Sequence, residues 1–284
     1  MVEQTMEKTN PLQKYFRKPV IHIRLPSEGR YYPENAVEIP PNGEFPVYPM
    51  TAMDEITYRT ADALFNGSAV ASVIESCVPG IKDAWSMPAM DLDTVIIAIR
   101  IASYGHSLEF DSRCPKCEEE NTFAVDLRSI LENISAPDYE KTVSVGDIEL
   151  FFKPLTYKQQ NANTMEQFQD QKLLQTVPDA DMNEEEKIRL LNQAFVKLGN
   201  MTIRAISKSI SMIKAEDNIV SEPEYIEDFV KNCDRTIFES IREHITEIKQ
   251  QSELQPLEIA CSHCGHEYTT PFTLDQSNFF GSRS

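Results

Sequence analysis

"CPKC", residues 114–117, places two thiols at i and i+3 on one tight turn. That spacing supplies two of the four ligands of a tetrahedral zinc ion, and half a site binds nothing tightly. A second pair stands far down the chain, in "CSHCGH" at residues 261–266. Both pairs sit in the same local pattern. Leu108 and Phe110 alternate before the first, and Phe123, Val125 and Leu127 after it. Leu257 and Ile259 alternate before the second, with Tyr268, Thr270, Phe272 and Leu274 after it. Alternation of period two on either side of a turn reads as a β-hairpin. Two hairpins are therefore expected, each with a cysteine pair at its tip.

Packed face to face, the two tips would close one site from Cys114, Cys117, Cys261 and Cys264, a split zinc ribbon holding one structural Zn per chain. Gly265 suits a turn that turns backbone amides toward the thiolates. His263 or His266 in place of a cysteine ligand is an alternative. So are a redox-active CxxC, disfavoured because neither pair opens a helix after a strand, and two unrelated pairs of free thiols. A four-thiolate site has no open coordination position, so its role would be structural: it would clamp the chain near 114 to the chain near 261, with metal binding tied to folding.

Outward from the hairpins, the chain reads as α+β. Residues 1–18 are expected to be a flexible tail. Residues 19–135 form an N-terminal α+β domain carrying the first knuckle, residues 136–255 a hairpin plus helical insert, and residues 256–284 the second knuckle and a C-terminal tail. Within the first domain "VIHIRL" reads as a strand. Helices are expected from Thr51 as N-cap, from Asn66-Gly67 to Pro79-Gly80, and from Asp91 as N-cap to Gly105. The run Val95, Ile96, Ile97, Ala98, Ile99 and Ile101 is apolar on enough sides to be a buried central helix. The insert opens with a hairpin turning at Gly146-Asp147 and continues with the Gln-rich helix "TYKQQNANTMEQFQDQKLLQ" and an acidic loop, "VPDADMNEEE". A helix "KIRLLNQAFVKLGNMTIRAISKSISMI" follows, broken or bent near Gly199. The last insert helix is expected to open with a Ser221/Glu224 capping box, Pro223 in its first turn. It carries one stripe through Ile226, Val230, Cys233, Ile237, Ile241, Ile245 and Ile248. Cys77 and Cys233 read as small buried hydrophobes.

Composition narrows the function. With 284 residues and 41% hydrophobic content the chain can bury a sizeable core. No run of eighteen apolar residues points to a membrane span, and the polar N-terminus lacks the apolar middle of a signal peptide. The expected setting is a reducing cytosol, where six cysteines are not a disulfide scaffold. A formal net charge of −18, from 27 basic against 45 acidic residues, disfavours nucleic acid as a partner. Acidic residues also flank both knuckles: "EEEN" after Cys117, and Glu258 and Glu267 around the second pair. No phosphate loop, GxGxxG, GxSxG or HExxH occurs, and none of the five histidines sits in a catalytic pattern. Asp91 and Asp93 form a possible carboxylate pair, but acid is what a helix start favours. No enzyme is expected.

Several stretches, in order, resemble the baseplate-protein family of T4-like, contractile-tailed bacteriophages: "IRLPSEGRYY", "MTAMDEITYRTADALFNGSAVASVIESCVPGI", "MDLDTVIIAIRIASYGHSLEF", and "CPKC" followed by "FAVDL". The resemblance covers roughly residues 20–135 well and the closing "CSHCGHEYTTPFTLDQSNFF" more loosely; it is not traced through the helical insert. It implies a viral tail protein tied to the baseplate hub, either a virion component or an assembly chaperone absent from the finished particle. The implied partners are other baseplate and hub tail proteins, and the implied location is the host cytoplasm during assembly or the virion tail. The family carries no catalytic residues, and its cysteine pairs map onto Cys114, Cys117, Cys261 and Cys264. A zinc-ribbon nucleic-acid or transcription factor is the alternative from a different class. Composition leaves the oligomeric state open.

Overall fold

The computed structural model describes residues 10–60, 66–176, 183–216, 218–272, 274 and 279. Helices and sheets mix along the chain, as the α+β reading expects. Two short strands, β1 (Ile21–Ile23) and β2 (Phe45–Val47), pair antiparallel. They pack with three helices: α1 (Ala52–Tyr58), α2 (Ser68–Cys77) and α3 (Leu92–Tyr104). Thr51 caps α1 in a reciprocal capping box with Asp54, which satisfies donors that the first turn leaves orphaned. From Val95 to Ile101 every side chain of α3 is buried, so this helix is the centre of the first core.

The first hairpin, β3 (Ser107–Arg113) with β4 (Glu120–Asp126), leads into the short helix α4 (Leu127–Glu132). The insert then builds a four-stranded antiparallel meander: β5 (Val143–Val145), β6 (Ile148–Phe152), β7 (Ile210–Ala215) and β8 (Asn218–Val220), in that order. Between β6 and β7 run the long helices α5 (Tyr157–Thr176) and α6 (Glu184–Ser209). After β8 come α7 (Pro223–Asn232) and α8 (Arg235–Ser252). A second apolar core joins Leu150 and Phe152 of β6, Ile206, Ile210 and Ile213 around the α6–β7 junction, and Ile226, Val230, Ile241 and Ile248 of the last two helices. The second hairpin, β9 (Leu257–Ala260) with β10 (Glu267–Thr270), returns to the first core, where Phe272 and Phe279 are buried.

Four sequence expectations need correction. Helix α6 begins at Glu184, capped by the Asn183 side chain, and runs unbroken through Gly199. Of the expected acidic loop, residues 177–182 lie outside the described residues. "ISMIKA" is a strand, not the end of a helix, because it pairs with β6 from Ile148 to Phe152. The apolar stripe from Ile226 to Ile248 spans two helices, broken at Cys233, whose backbone is extended. Glu222, not Ser221, occupies the N-cap of α7 and makes no side-chain cap bond, so the expected capping box is not formed.

Asp91 also departs from its expected role. It occupies the N-cap position of α3 but makes no cap hydrogen bond. Instead its carboxylate accepts from the Ser27 N–H (2.8 Å), the Ser27 hydroxyl (2.6 Å) and the Tyr32 hydroxyl (3.0 Å), tying the loop after β1 to the start of α3. Within the expected tail, residues 1–9 lie outside the described residues. Arg17 is held by the carbonyls of Pro49 (2.8 Å) and Ser76 (2.7 Å).

The insert is welded to the first core by Tyr157 at the start of α5. Its ring stacks on Trp85 at 5.2 Å, its hydroxyl donates to the Gly67 carbonyl (3.1 Å), and its N–H donates to the Met87 carbonyl (2.7 Å). Thr156 and Gln159 bond reciprocally on either side of it, a capping box that the sequence spells as T-x-x-Q.

Candidate metal centre

Each cysteine pair occupies the tip of its own hairpin, and the two tips have the same backbone geometry. In the first, the Glu118 N–H donates to the Cys114 carbonyl (2.9 Å) and the Cys114 N–H to the Glu119 carbonyl (3.0 Å). In the second, the Gly265 N–H donates to the Cys261 carbonyl and the Cys261 N–H to the His266 carbonyl, both at 2.9 Å. The residue after the second cysteine is left-handed in both, Glu118 at φ 62° and Gly265 at φ 67°. Glycine takes that conformation without a Cβ penalty; a glutamate there holds a mildly strained turn. The two tips are therefore one device built twice, and this backbone folding is what carries each pair of thiols to a common point.

The hairpins lie side by side. The Tyr268 hydroxyl donates to the Ser112 Oγ at 3.2 Å, and Ser112 in turn reaches Thr270 at 3.5 Å. As a result Cys114 Sγ lies 3.7 Å from Cys264 Sγ, and Cys117 Sγ 3.6 Å from Cys261 Sγ. All four sulfurs fall within 4.8 Å of one another. A zinc ion with Zn–S bonds of about 2.3 Å sets tetrahedral sulfurs about 3.8 Å apart, so the group fits the ion closely. Four cysteines this close can hold a metal ion. His263 and His266 are not members of the group; the imidazole of His266 stacks instead on Tyr268, with centroids 6.2 Å apart.

The electrostatics ask for a cation. N–H groups of Cys264 and then His263 stabilise the Cys261 thiolate and bring its pKa down to about 6. Desolvation pushes Cys114 up, but the N–H groups of Cys117 and Lys116 outweigh it and leave it lowered. Cys117 accepts the Glu119 N–H, yet desolvation and its three sulfur neighbours drive its pKa up to about 12. Each tip thus favours ionising its first sulfur, Cys114 or Cys261, while burial and the neighbouring sulfurs keep Cys117 protonated. A divalent ion at the centre removes that conflict.

One contributor escaped sequence reading. Asn121, on β4 and buried, donates from Nδ2 to the Cys261 sulfur at 3.5 Å. Its Oδ1 accepts from the Ser262 N–H (2.9 Å) and the Ser262 hydroxyl (2.6 Å). It therefore spans the two knuckles from outside the ligand set. The signal was an asparagine at a buried strand position four residues after Cys117, where an apolar residue would otherwise be expected. Cys77 is fully buried in the first core, whereas Cys233 sits half-buried at the helix break, and neither is near the cluster.

The family model described as T4 bacteriophage base plate protein matches residues 36–281, which takes in both knuckles and the whole insert. The chain belongs to this baseplate family. No curated protein and no solved structure matches it. Membership is consistent with a structural, non-enzymatic role among other phage baseplate proteins. Among the described residues, no helix of this baseplate protein is long and apolar enough to cross a membrane.

Proposed function

We propose that this chain is a non-enzymatic component or assembly factor of the baseplate hub, acting by protein–protein binding, with one structural zinc held by Cys114, Cys117, Cys261 and Cys264 in a split ribbon. The observation that carries this reading is the family match across residues 36–281, which contains the whole four-sulfur cluster. Bound zinc would supply charge compensation and a cross-link, with no open position for chemistry. The division into residues 19–135, 136–255 and 256–284 is supported by two apolar cores, one that takes in residues of both hairpins and one drawn from the insert alone. A partner face on the insert is supported by the open groove on α6, where Ile188 and Val196 are exposed beside Arg189 and Asn192.

Between permanent component and transient chaperone, the net charge of −18 and the Gln-rich α5 favour a soluble chaperone of a hub subunit. Its sites of action would be the host cytoplasm and, for a component, the virion tail. Mass spectrometry of purified virions decides between them. Stoichiometric presence ends the chaperone reading; absence together with a tail-assembly defect in a knockout establishes it. Metal analysis of the purified protein is expected to give one zinc per chain, lost in Cys114→Ser or Cys261→Ser. Unchanged metal and folding in those variants would remove the zinc from this account. A salt-sensitive shift of phage DNA by the purified protein would favour a nucleic-acid role instead.

A further inference from the structure

The chain is acidic overall, yet residues 10–27 contain no Asp or Glu and carry Lys14, Arg17, Lys18 and Arg24. Large apolar side chains interleave with these cations and face solvent: Leu12 is 60% exposed, Tyr15 73%, Phe16 57% and Val20 60%. Exposed apolar groups of this size usually mark a contact surface when they are held in place and not merely frayed.

Here they are held. Arg17 turns inward, donating to the Pro49 carbonyl, to the Ser76 carbonyl and hydroxyl (2.7 and 2.9 Å), and to Asp54 Oδ2 at 3.2 Å. Three residues on, the Val20 N–H donates to the Val47 carbonyl at 2.9 Å, extending the β1–β2 pairing. The segment is thus pinned at two points against the first core while its rings point away from it. Met53 and Ile56, on the same helix as Asp54, are exposed as well. Of the four cations Arg17 and Arg24 are spent on Asp54 and Glu44, whereas Lys14 and Lys18 make no ion pair with a described residue. Lys14 lies over the Tyr15 ring at 4.9 Å.

We propose that residues 12–20 are a docking surface for an acidic protein segment that also carries apolar side chains. Lys14 and Lys18 would meet its carboxylates, and Leu12, Tyr15, Phe16 and Val20 its apolar groups. Charge complementarity selects this occupant. The exposed rings ask for more than a polyanion offers, so the occupant must carry apolar groups beside its carboxylates. The inference rests on the reading of the chain as a protein-binding component, and it assigns that binding a place and a chemistry.

The test uses the full chain. A random Glu–Tyr copolymer is the probe, with poly-glutamate and duplex DNA beside it. The copolymer is expected to bind at least ten-fold tighter than poly-glutamate. Lys14→Glu with Lys18→Glu, and separately Tyr15→Ser with Phe16→Ser, should each weaken it ten-fold or more while circular dichroism stays unchanged. Equal binding by either double variant overturns the proposal, as does duplex DNA binding as tightly as the copolymer. So does a dimer in light scattering that Tyr15→Ser with Phe16→Ser dissolves. In infected cells, a photo-crosslinking phenylalanine analogue at position 16 separates the two readings. Attachment to an acidic segment of a tail protein supports both. Attachment to an acidic segment of a host protein keeps this surface but removes the baseplate partner. No adduct at position 16 overturns the surface.

Discussion

Burial is the dominant influence on Asp91: it raises the pKa from 3.8 to about 6, against three hydrogen bonds from Ser27 and Tyr32 that favour the ionised form. A carboxyl whose folded pKa lies above its unfolded value binds more protons in the folded state. Its contribution is therefore fully present below about pH 4 and is lost as pH rises through about 6. A gap of roughly two units corresponds to about 3 kcal/mol at most. Asp91→Asn removes this titration. In urea unfolding from pH 4 to pH 7, wild-type stability should fall relative to the variant, with the difference flat above pH 7. Parallel profiles would show that Asp91 is not ionised at the cost its burial implies. Asn121 invites a second substitution at this scale. Groups that orient a ligand from outside the first ring of contacts typically change metal affinity by about 10- to 100-fold. Asn121→Ala, which frees Ser262 and the Cys261 sulfur, should weaken binding of the proposed zinc by that factor in competition with a chromophoric chelator.

Asp234 governs the break between α7 and α8. Its side chain accepts the Ile237 N–H at 3.0 Å and starts α8 afresh, one residue after α7 has stopped at an extended Cys233. Asp234→Ala should cost about 1 kcal/mol, read as a lowered urea midpoint with an unchanged slope. The same elements show which parts of the fold were legible. The two hairpins could be read because period-two alternation and cysteine spacing agree, two independent signals at one place. The α7–α8 break could not, because Ile226, Val230, Ile237, Ile241, Ile245 and Ile248 keep helical spacing straight across it. Apolar periodicity reports a buried face; it does not report whether one helix or two supply that face. The strand β7 was hidden for the same reason. Ile203, Ile206, Ile210 and Ile213 follow at three, four and three residues, a helical rhythm, and only pairing with β6 turns Ile210 and Ile213 into strand residues. Of the cluster, the meeting of the four cysteines was legible and the place of Asn121 was not, since its value depends on what lies across from it in space.

At the scale of the whole molecule both hairpins pack on the first core, through Leu108, Val125 and Leu257, and two different fastenings hold the insert to it. Tyr157 is an apolar and hydrogen-bonded weld where the insert's helices begin. The cysteine cluster joins the chain just before the insert to the chain just after it. A metal that closes so long a loop stabilises the fold mainly where its ligands sit, because ligand order and ion binding are one equilibrium. Stripping the proposed zinc with a strong chelator should therefore act unevenly. Hydrogen exchange is expected to lose protection along β3, β4, β9 and β10 and at Phe272, which the second hairpin carries into the first core. The sheet from β5 to β8 draws its core from Leu150, Phe152, Ile210 and Ile213 with α7 and α8, so its amides should keep theirs. Equal loss through both regions would mean that the two cores unfold as one cooperative unit, with Tyr157 passing the disturbance across. Retention in both would mean that the hairpins hold without the ion and that the sulfurs' proximity serves the packing alone.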